Sequence, residues 1–357
     1  DMADAAAGNA SEHKPCFSFG AIADVQYADI ENGTNFEKTA IRRFRQSPVI
    51  LDKAVQAWND EQIAFIVQLG DLIDGKSHEA GQSEQDLEKV LGVFAKSKCP
   101  DKDIHHLIGN HDLYNFTRSD PRLKALFRKS ESGTYYYSFS PAHGWKFIVL
   151  DPFDISTIDP AHGSAEDAWE LLKKHNQNDV RDDKGDWYKD LEGDAKRWVP
   201  PNGALSEQQL RWLEQELARS EDRGERVVLL THLPLLPTYH GNPALLWNFD
   251  EVKRICDKSS SLVLVLSGHD HAGGYVVDQA GVHHVTLPSP LNCKEGDVAF
   301  ATVDVGPLAF LLRGRGDVPT MELPYRVPRE EAVRFRRIRD VPNPYPPAAR
   351  HDPSDSA

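Results

Sequence analysis

The sequence is short of the features that mark secreted, membrane-spanning and polynucleotide-binding proteins. Its 357 residues include four cysteines, Cys16, Cys99, Cys256 and Cys293, and no C-x-x-C pair. A secreted disulfide scaffold is denser in cysteine, so a reduced, cytoplasmic compartment is expected. No run of about eighteen apolar residues occurs, and no membrane span is expected. Positive charge is also in deficit. Against 55 Asp and Glu stand 41 Lys and Arg, a formal net charge of -14. A surface of that sign repels phosphate backbones and excludes broad contact with nucleic acid. A small anionic substrate can still bind where metal cations reverse the local field. No G-x-S-x-G, no strand followed by G-x-G-x-x-G and no Walker A motif is found. Those absences argue against serine hydrolases, dinucleotide oxidoreductases and P-loop NTPases.

What is present is a globular composition, 40% hydrophobic and 27% charged. Six short apolar runs recur: CFSFGAIAD, IAFIVQLGD, HHLIGNH, KFIVLD, RVVLLTH and SLVLVLSGH. Each is of strand length, β-rich and apolar nearly throughout, as a strand covered on both faces is. Helical spacing of apolar residues appears over 48–58, 86–95, 165–174 and 206–217. In the last of these, Ser206 stands three residues before Gln209, the spacing of a capping box. Strand and helix alternate, which predicts a layered α/β fold. Residues 1–15 lack a signal-peptide pattern and read as an unstructured lead-in. Residues 16–320 form one domain, in which the polar stretch 152–203 reads as a surface insert. Residues 321–357, rich towards the end in Pro, Arg and Asp, read as an extended or disordered tail.

The apolar runs end on chemistry-bearing residues. The ends are Asp24-Val25-Gln26, Gly70-Asp71-Leu72-Ile73-Asp74, Gly109-Asn110-His111-Asp112, Thr231-His232 and Gly268-His269-Asp270-His271. Ligands of open α/β sheets bind just outside the carboxyl ends of strands. Glycines before Asp71, Asn110 and His269 allow sharp turns that let the side chains converge. Two carboxylates, an Asn, a Gln and three His supply enough N and O donors for two divalent cations. No thiolate is offered, which disfavours a closed structural zinc site. A carboxylate can bridge two metals about 3.5–4 Å apart, and such a pair polarises phosphoryl oxygens and acidifies a bridging water. Each tripeptide alone is an ordinary loop start; their joint occurrence in this order is what carries the reading.

The blocks D-x-Q, G-D-x-x-D, G-N-H-D, H and G-H-D-H resemble the five-block signature of calcineurin-like metallophosphoesterases. That family usually has D-x-H in the first block, where this chain has Asp24-Val25-Gln26. The Gln is similar to what one subfamily carries, the manganese-dependent ADP-ribose/CDP-alcohol diphosphatases. The stretches ADVQYADIENGTNF, RRFRQS, LGDLIDG, GNHDLYNF, THLPL, SGHDHAGGY and LLRGRGDVP also resemble that subfamily, over roughly residues 16–320.

The resemblance implies a four-layer α/β/β/α sandwich and hydrolysis of a phosphoanhydride. ADP-ribose would give AMP and ribose 5-phosphate; CDP-choline, CDP-ethanolamine or CDP-glycerol would give CMP and a phosphoalcohol. Asp24, Gln26, Asp71 and His271 would hold one cation. Asp71, Asn110, His232 and His269 would hold the second, with Asp71 bridging. His111 would stand by the leaving group as acid or hydrogen-bond donor, oriented by Asp74. Asp74 also suits the N-cap of a helix starting at Gly75. Gln26 offers a hard carboxamide oxygen, which fits Mn²⁺, with Mg²⁺ as the other candidate.

For the substrate, the resemblance places Phe36 near the nucleobase or ribose, although a loop-anchoring role suits it equally. Arg43, from the cluster Arg42, Arg43 and Arg45, is the expected diphosphate clamp. Tyr114, Asn115 and Trp247 are rim candidates, as is Asp151. Asp112 and Asp270 read as supporting or solvated. The pairs His105-His106 and His283-His284 cannot chelate, because neighbours on a strand face opposite ways. The protein is expected to act as a monomer on a small nucleoside diphosphate-linked molecule, without membrane or nucleic acid. Two alternatives stay open: another activity of the same metal site, such as cyclic-nucleotide phosphodiesterase, and a non-catalytic binding module on the same fold.

Overall fold

A computed structural model describes residues 15–35, 38–182, 185–239 and 241–325. The strands that build its core are β1 (Phe17–Ile22), β2 (Phe65–Gln68), β3 (Ile104–His106), β4 (Tyr137–Phe139), β5 (Trp145–Val149), β6 (Arg226–Leu230), β7 (Leu262–Ser267), β8 (Gly274–Val277), β9 (His283–Thr286), β10 (Ala299–Val305), β11 (Ala309–Gly316) and β12 (Met321–Pro324). They form two six-stranded sheets, in the orders β12-β11-β10-β1-β2-β3 and β8-β9-β7-β6-β5-β4. In the first, β1, β2 and β3 run parallel and β10 to β12 antiparallel. In the second, β5, β6, β7 and β9 run parallel, flanked by antiparallel β4 and β8.

The sheets face each other through aromatic rings. Phe19 stacks on Phe65 with centroids 5.0 Å apart, and both meet Phe147 of the other sheet edge-on, at 5.4 and 5.2 Å. Helices cover the outer faces. On the first sheet, α1 (Ser47–Glu61) lays the fully buried Trp58 across β1 and β10, and its Nε1 donates to the Ala301 carbonyl at 3.1 Å. Gly20 makes room for that ring, since a Cβ there would lie 2.6 Å from it. A large helix on the second sheet, Glu207–Asp222, packs Trp212 on Tyr136 at 4.8 Å. The order helix, sheet, sheet, helix is the expected four-layer sandwich. Among the described residues, no helix is long and apolar enough to cross a membrane.

The predicted helices are present, within a few residues at each end. Only half of the predicted capping box forms. Ser206 Oγ accepts from Gln209 N, but the Gln209 side chain turns to the Asp151 carbonyl and to Asp154 instead. The expected tail begins too early, because Met321–Pro324 pairs with β11 as the sheet's last strand. Residues 326–357 of that stretch, and residues 1–14 of the lead-in 1–15, lie outside the described residues. The stretch 152–203 sits at the surface yet has a core of its own. Ala168, Leu172, Val180, Trp198 and Ala204 cluster there with Trp247. Its helix Ala165–His175 opens on a complete Ser164–Asp167 capping box.

Candidate metal centre

The loops that leave the strands stay tied backbone to backbone. Asp24 N donates to the Gly70 carbonyl, Gln26 N to that of Asp71 and Gly268 N to that of His232. Four site residues adopt left-handed backbone: Asp24 (φ 50), Gln26 (φ 41), Asp71 (φ 61) and His269 (φ 67). Non-glycine residues rarely do this, and such strain persists where the surroundings over-determine it, typically at functional sites. Asp112 supplies much of that determination. Buried beneath the loop, its carboxylate accepts the N–H groups of Asp71, Leu72 and Gly109 at 2.9 Å each. Gly109 is obligatory, since any Cβ there would overlap the Asp71 carboxylate.

The seven expected ligands converge. Asp24, Gln26, Asp71, Asn110 and His232 are buried. Asp71 Oδ2 lies 2.8 Å from Gln26 Nε2 and 3.4 Å from His232 Nε2. Asn110 Oδ1 lies 3.2 Å from His232 Nε2, and His271 Nε2 stands 3.6 Å from Asp24 Oδ1. The Asp24 carboxylate also receives the His269 N–H. Asp71, His232 and His269 each place a donor atom within 4.8 Å of the other two. Gln26 turns Nε2 towards Asp71 and His271, leaving Oε1 buried without a hydrogen-bond partner among the described residues. A half-turn of that carboxamide would bring Oε1 among the other donors. The donor set and this orphaned oxygen fit hard divalent cations.

Electrostatics points the same way. Burial, reinforced by the charge of Asp71, pushes the Asp24 carboxyl up to about 8 against the opposing pull of His232. Burial would also raise Asp71, but His232 and His111 outweigh it and hold that carboxyl below its usual range. Burial alone would lower His232, yet Asp71 and Asp24 raise it to about 9. Burial, with Arg42 nearby, drives His271 down to about 3. Two buried carboxylates thus compete for one cationic imidazole. Added positive charge in the cluster would leave both ionised and the imidazoles neutral.

His111 stands beside this cluster. Its backbone N–H donates to Asp71 Oδ1, and its ring meets Tyr114 edge-on at 5.3 Å. The Gly75 N–H donates to Nδ1 at 2.9 Å, and Asp74 Oδ2 lies 3.3 Å from the same atom. Nδ1 therefore accepts, and a neutral ring carries its proton on Nε2. Asp74, expected to orient His111, does lie against Nδ1, but the hydrogen bond to that atom comes from the first amide of the helix Gly75–Glu79. Asp74 also caps the helix, accepting from Lys76 N.

The expected substrate contacts fare less well. Phe36 lies outside the described residues. Arg43 donates Nη1 to the Cys293 carbonyl at 2.9 Å and is spent on loop structure. Its neighbour Arg42, 22% exposed, places Nη1 3.6 Å from Asp74 and is the arginine at the site. Arg45 pairs with Asp29 and Glu31. Trp247 is no rim residue: it is fully buried in the insert's core and donates to the Val199 carbonyl. Asn115 is buried and clamps the carbonyls of Asp74 and His111, and Asp151 pairs with Arg118. Tyr114, 36% exposed, does stand at the rim beside His111. Asn202, Asn292 and Ser289 also reach the cluster, through His269, His271 and the Asp24 carbonyl. No local pattern marks them: Asn202 and Ser289 are ordinary turn residues next to Pro or Gly, and Asn292 ends the short turn Pro290–Asn292.

Comparison with known proteins decides the family. The family model for calcineurin-like phosphoesterases matches residues 17–273. The chain belongs to the calcineurin-like phosphoesterase family. A manganese-dependent ADP-ribose/CDP-alcohol diphosphatase of Mus musculus is 36% identical to this phosphoesterase over 91% of the chain and 97% of its own length. The protein of the same description from Arabidopsis thaliana is 39% identical over 82% of the chain and 92% of its own. The crystal structure of a dimetal phosphatase from Danio rerio superposes with a TM-score of 0.79 at 35% identity, covering 87% of the chain and all of its own. This phosphoesterase is accordingly a metal-dependent hydrolase, and the resemblance drawn from its five blocks is borne out.

Proposed function

We propose that the protein is a dimetal diphosphatase that cleaves the phosphoanhydride of ADP-ribose and CDP-alcohols, with Mn²⁺ preferred. The observation that carries this is the identity of 36% and 39%, over most of both chains, with diphosphatases of that description. Gln26 supports it from the site itself, as an oxygen donor where the wider family usually has a histidine.

Asp24, Gln26, Asp71 and His271 would hold one cation, and Asp71, Asn110, His232 and His269 the other. Bound there, the cations polarise phosphoryl oxygens and lower the pKa of a bound water. The residues do the rest. Asp71, gripped by Asp112, stays in a backbone geometry it would not adopt unaided. His111 offers its Nε2–H to the oxygen that gains charge in the transition state, with Gly75 fixing the tautomer. Arg42 sets a guanidinium at the rim, where a diphosphate can be bound bidentately. All four cysteines are free thiols, which supports a reducing, cytoplasmic setting.

The test is product analysis on metal-stripped protein given ADP-ribose, CDP-choline or a cyclic nucleotide, with Mn²⁺, Mg²⁺ or neither. AMP and CMP should form only with metal, and fastest with Mn²⁺. Cleavage of the cyclic nucleotide alone would replace the substrate assignment, and failure on all three would remove it.

A further inference from the structure

The stretch 152–203 covers the surface, but its end enters the metal cluster. Asn202 is fully buried, and its Oδ1 lies 2.9 Å from His269 Nε2. The carboxamide cannot be turned the other way. Its Nδ2 donates to the carbonyls of Arg197 at 2.8 Å and Pro243 at 2.7 Å, and carbonyls only accept. Oδ1 therefore faces the imidazole as an acceptor, Nε2 carries the ring proton, and the lone pair of Nδ1 is left bare. The other two histidines are held the opposite way. His232 Nδ1 bonds to the Leu69 carbonyl at 2.7 Å, and His271 Nδ1 bonds to Asn292 Oδ1 at 2.7 Å. Both keep Nε2 for the cluster.

The mounting of Asn202 is rigid. Its own N–H bonds to the Val199 carbonyl, which also accepts from Trp247 Nε1. Trp247 N bonds to the Gly203 carbonyl, Arg197 Nε to the Trp247 carbonyl, and Trp198 stacks on Trp247 at 5.8 Å. The tryptophan core of the insert thus fastens the residues on both sides of Asn202.

We propose that Asn202 is a positioning residue of the metal centre, through which the folded insert fixes the ring and tautomer of His269 so that Nδ1 is the atom offered to a cation. The inference rests on His269 being a metal ligand, as proposed above. Partners that orient a metal-bound imidazole typically contribute about 10- to 100-fold in metal affinity.

The experiment is Mn²⁺ titration of metal-stripped protein, following free Mn²⁺ by electron paramagnetic resonance, for the wild type and Asn202→Leu. One of two sites should weaken by about 10- to 100-fold while the other is unchanged. Two sites of wild-type affinity in N202L would overturn the proposal, as would equal weakening of both. If N202L fails to fold, the pair His269→Asn and His269→Gln replaces it. Asn sets its amide where Nδ1 was and Gln where Nε2 was, so H269N should keep about 10-fold or more of the affinity that H269Q loses. The reverse order would overturn the proposal. Absence of Mn²⁺ binding by the wild type would sink the diphosphatase reading instead. Asn202 is then tested alone by ¹⁵N spectra of the metal-free protein, with His269 assigned from its own substitution. Protonation at Nε2 is expected, and protonation at Nδ1 would overturn the inference.

Discussion

The strand-end loops and the insert reach one site by different means. The loops after β1 and β2 carry ligands in their own sequence and are held by backbone hydrogen bonds, an Asp112 clamp and left-handed residues. The insert carries no expected ligand. It has a separate tryptophan core and reaches the cluster through the buried Asn202 carboxamide and through the Phe153 ring, 5.9 Å from that of His232. Donor atoms come from short, strained, locally encoded turns, while the orientation of one of them, His269, comes from a distant and separately packed unit.

The comparison breaks first at Asp71. Asp71→Asn keeps the shape and tolerates positive φ, but it removes the expected bridging charge. Turnover should fall by about 10³-fold or more, a loss of several kcal/mol in the transition state. Near-normal turnover in D71N would refute the bridging role.

Two tryptophans sharpen it. Trp247→Ala and Trp58→Ala each empty a fully buried ring site, and each should cost about 3–5 kcal/mol in urea unfolding. W247A should also lose Mn²⁺ affinity, because its cavity lies behind Asn202. W58A should keep that affinity per folded molecule. Equal Mn²⁺ affinity in the two would mean that the insert does not support the site.

Metal supply gives a smaller shift. Mn²⁺ at about 100 times its Kd should add about 2.7 kcal/mol per site to stability, read as a rise in melting temperature that chelator reverses. D71N should show little of this rise. An equal rise in D71N would place the binding elsewhere.

A pH effect independent of metal lies in the scaffold under the loops. Burial lowers His105 to about 3 and His106 to about 4. Unfolded histidines titrate near 6.5, so on acidification the unfolded chain takes up these protons first. Stability should be complete above about pH 6.5 and drain away as the pH falls towards 4 and 3, by on the order of a few kcal/mol. His105→Phe, which keeps the stack on Phe139, should flatten this slope. An unchanged urea midpoint between pH 7 and 4.5 in the metal-free wild type would contradict it.

The site was legible wherever chemistry and backbone shared one short stretch. Asp24-Val25-Gln26, Gly109-Asn110-His111 and Gly268-His269-Asp270-His271 each end an apolar run, so identity and location came together. Reading failed where neighbours had to be told apart. Arg42 and Arg43 look alike in sequence, yet successive residues of an extended chain point opposite ways. The pairing of Ile41–Arg42 with Gly33–Thr34 sets Arg42 towards Asp74 and leaves Arg43 to Cys293. Trp247 looked like a rim aromatic, because nothing near it in the chain shows that Trp198 is its packing partner.

By itself, the sequence determined the order of donors along the chain, their hard oxygen and nitrogen character, and the alternation of strand and helix that gathers them. Those properties are covalent or local, so they survive without knowledge of the fold. Tertiary structure alone decided which arginine faces the site, which backbone is held left-handed, and which nitrogen of each imidazole is bare. Each of those depends on a hydrogen bond to a residue far away in sequence. His269 meets Asn202, His232 meets Leu69 and Asp71 meets Asp112 only once the two sheets and the insert have packed.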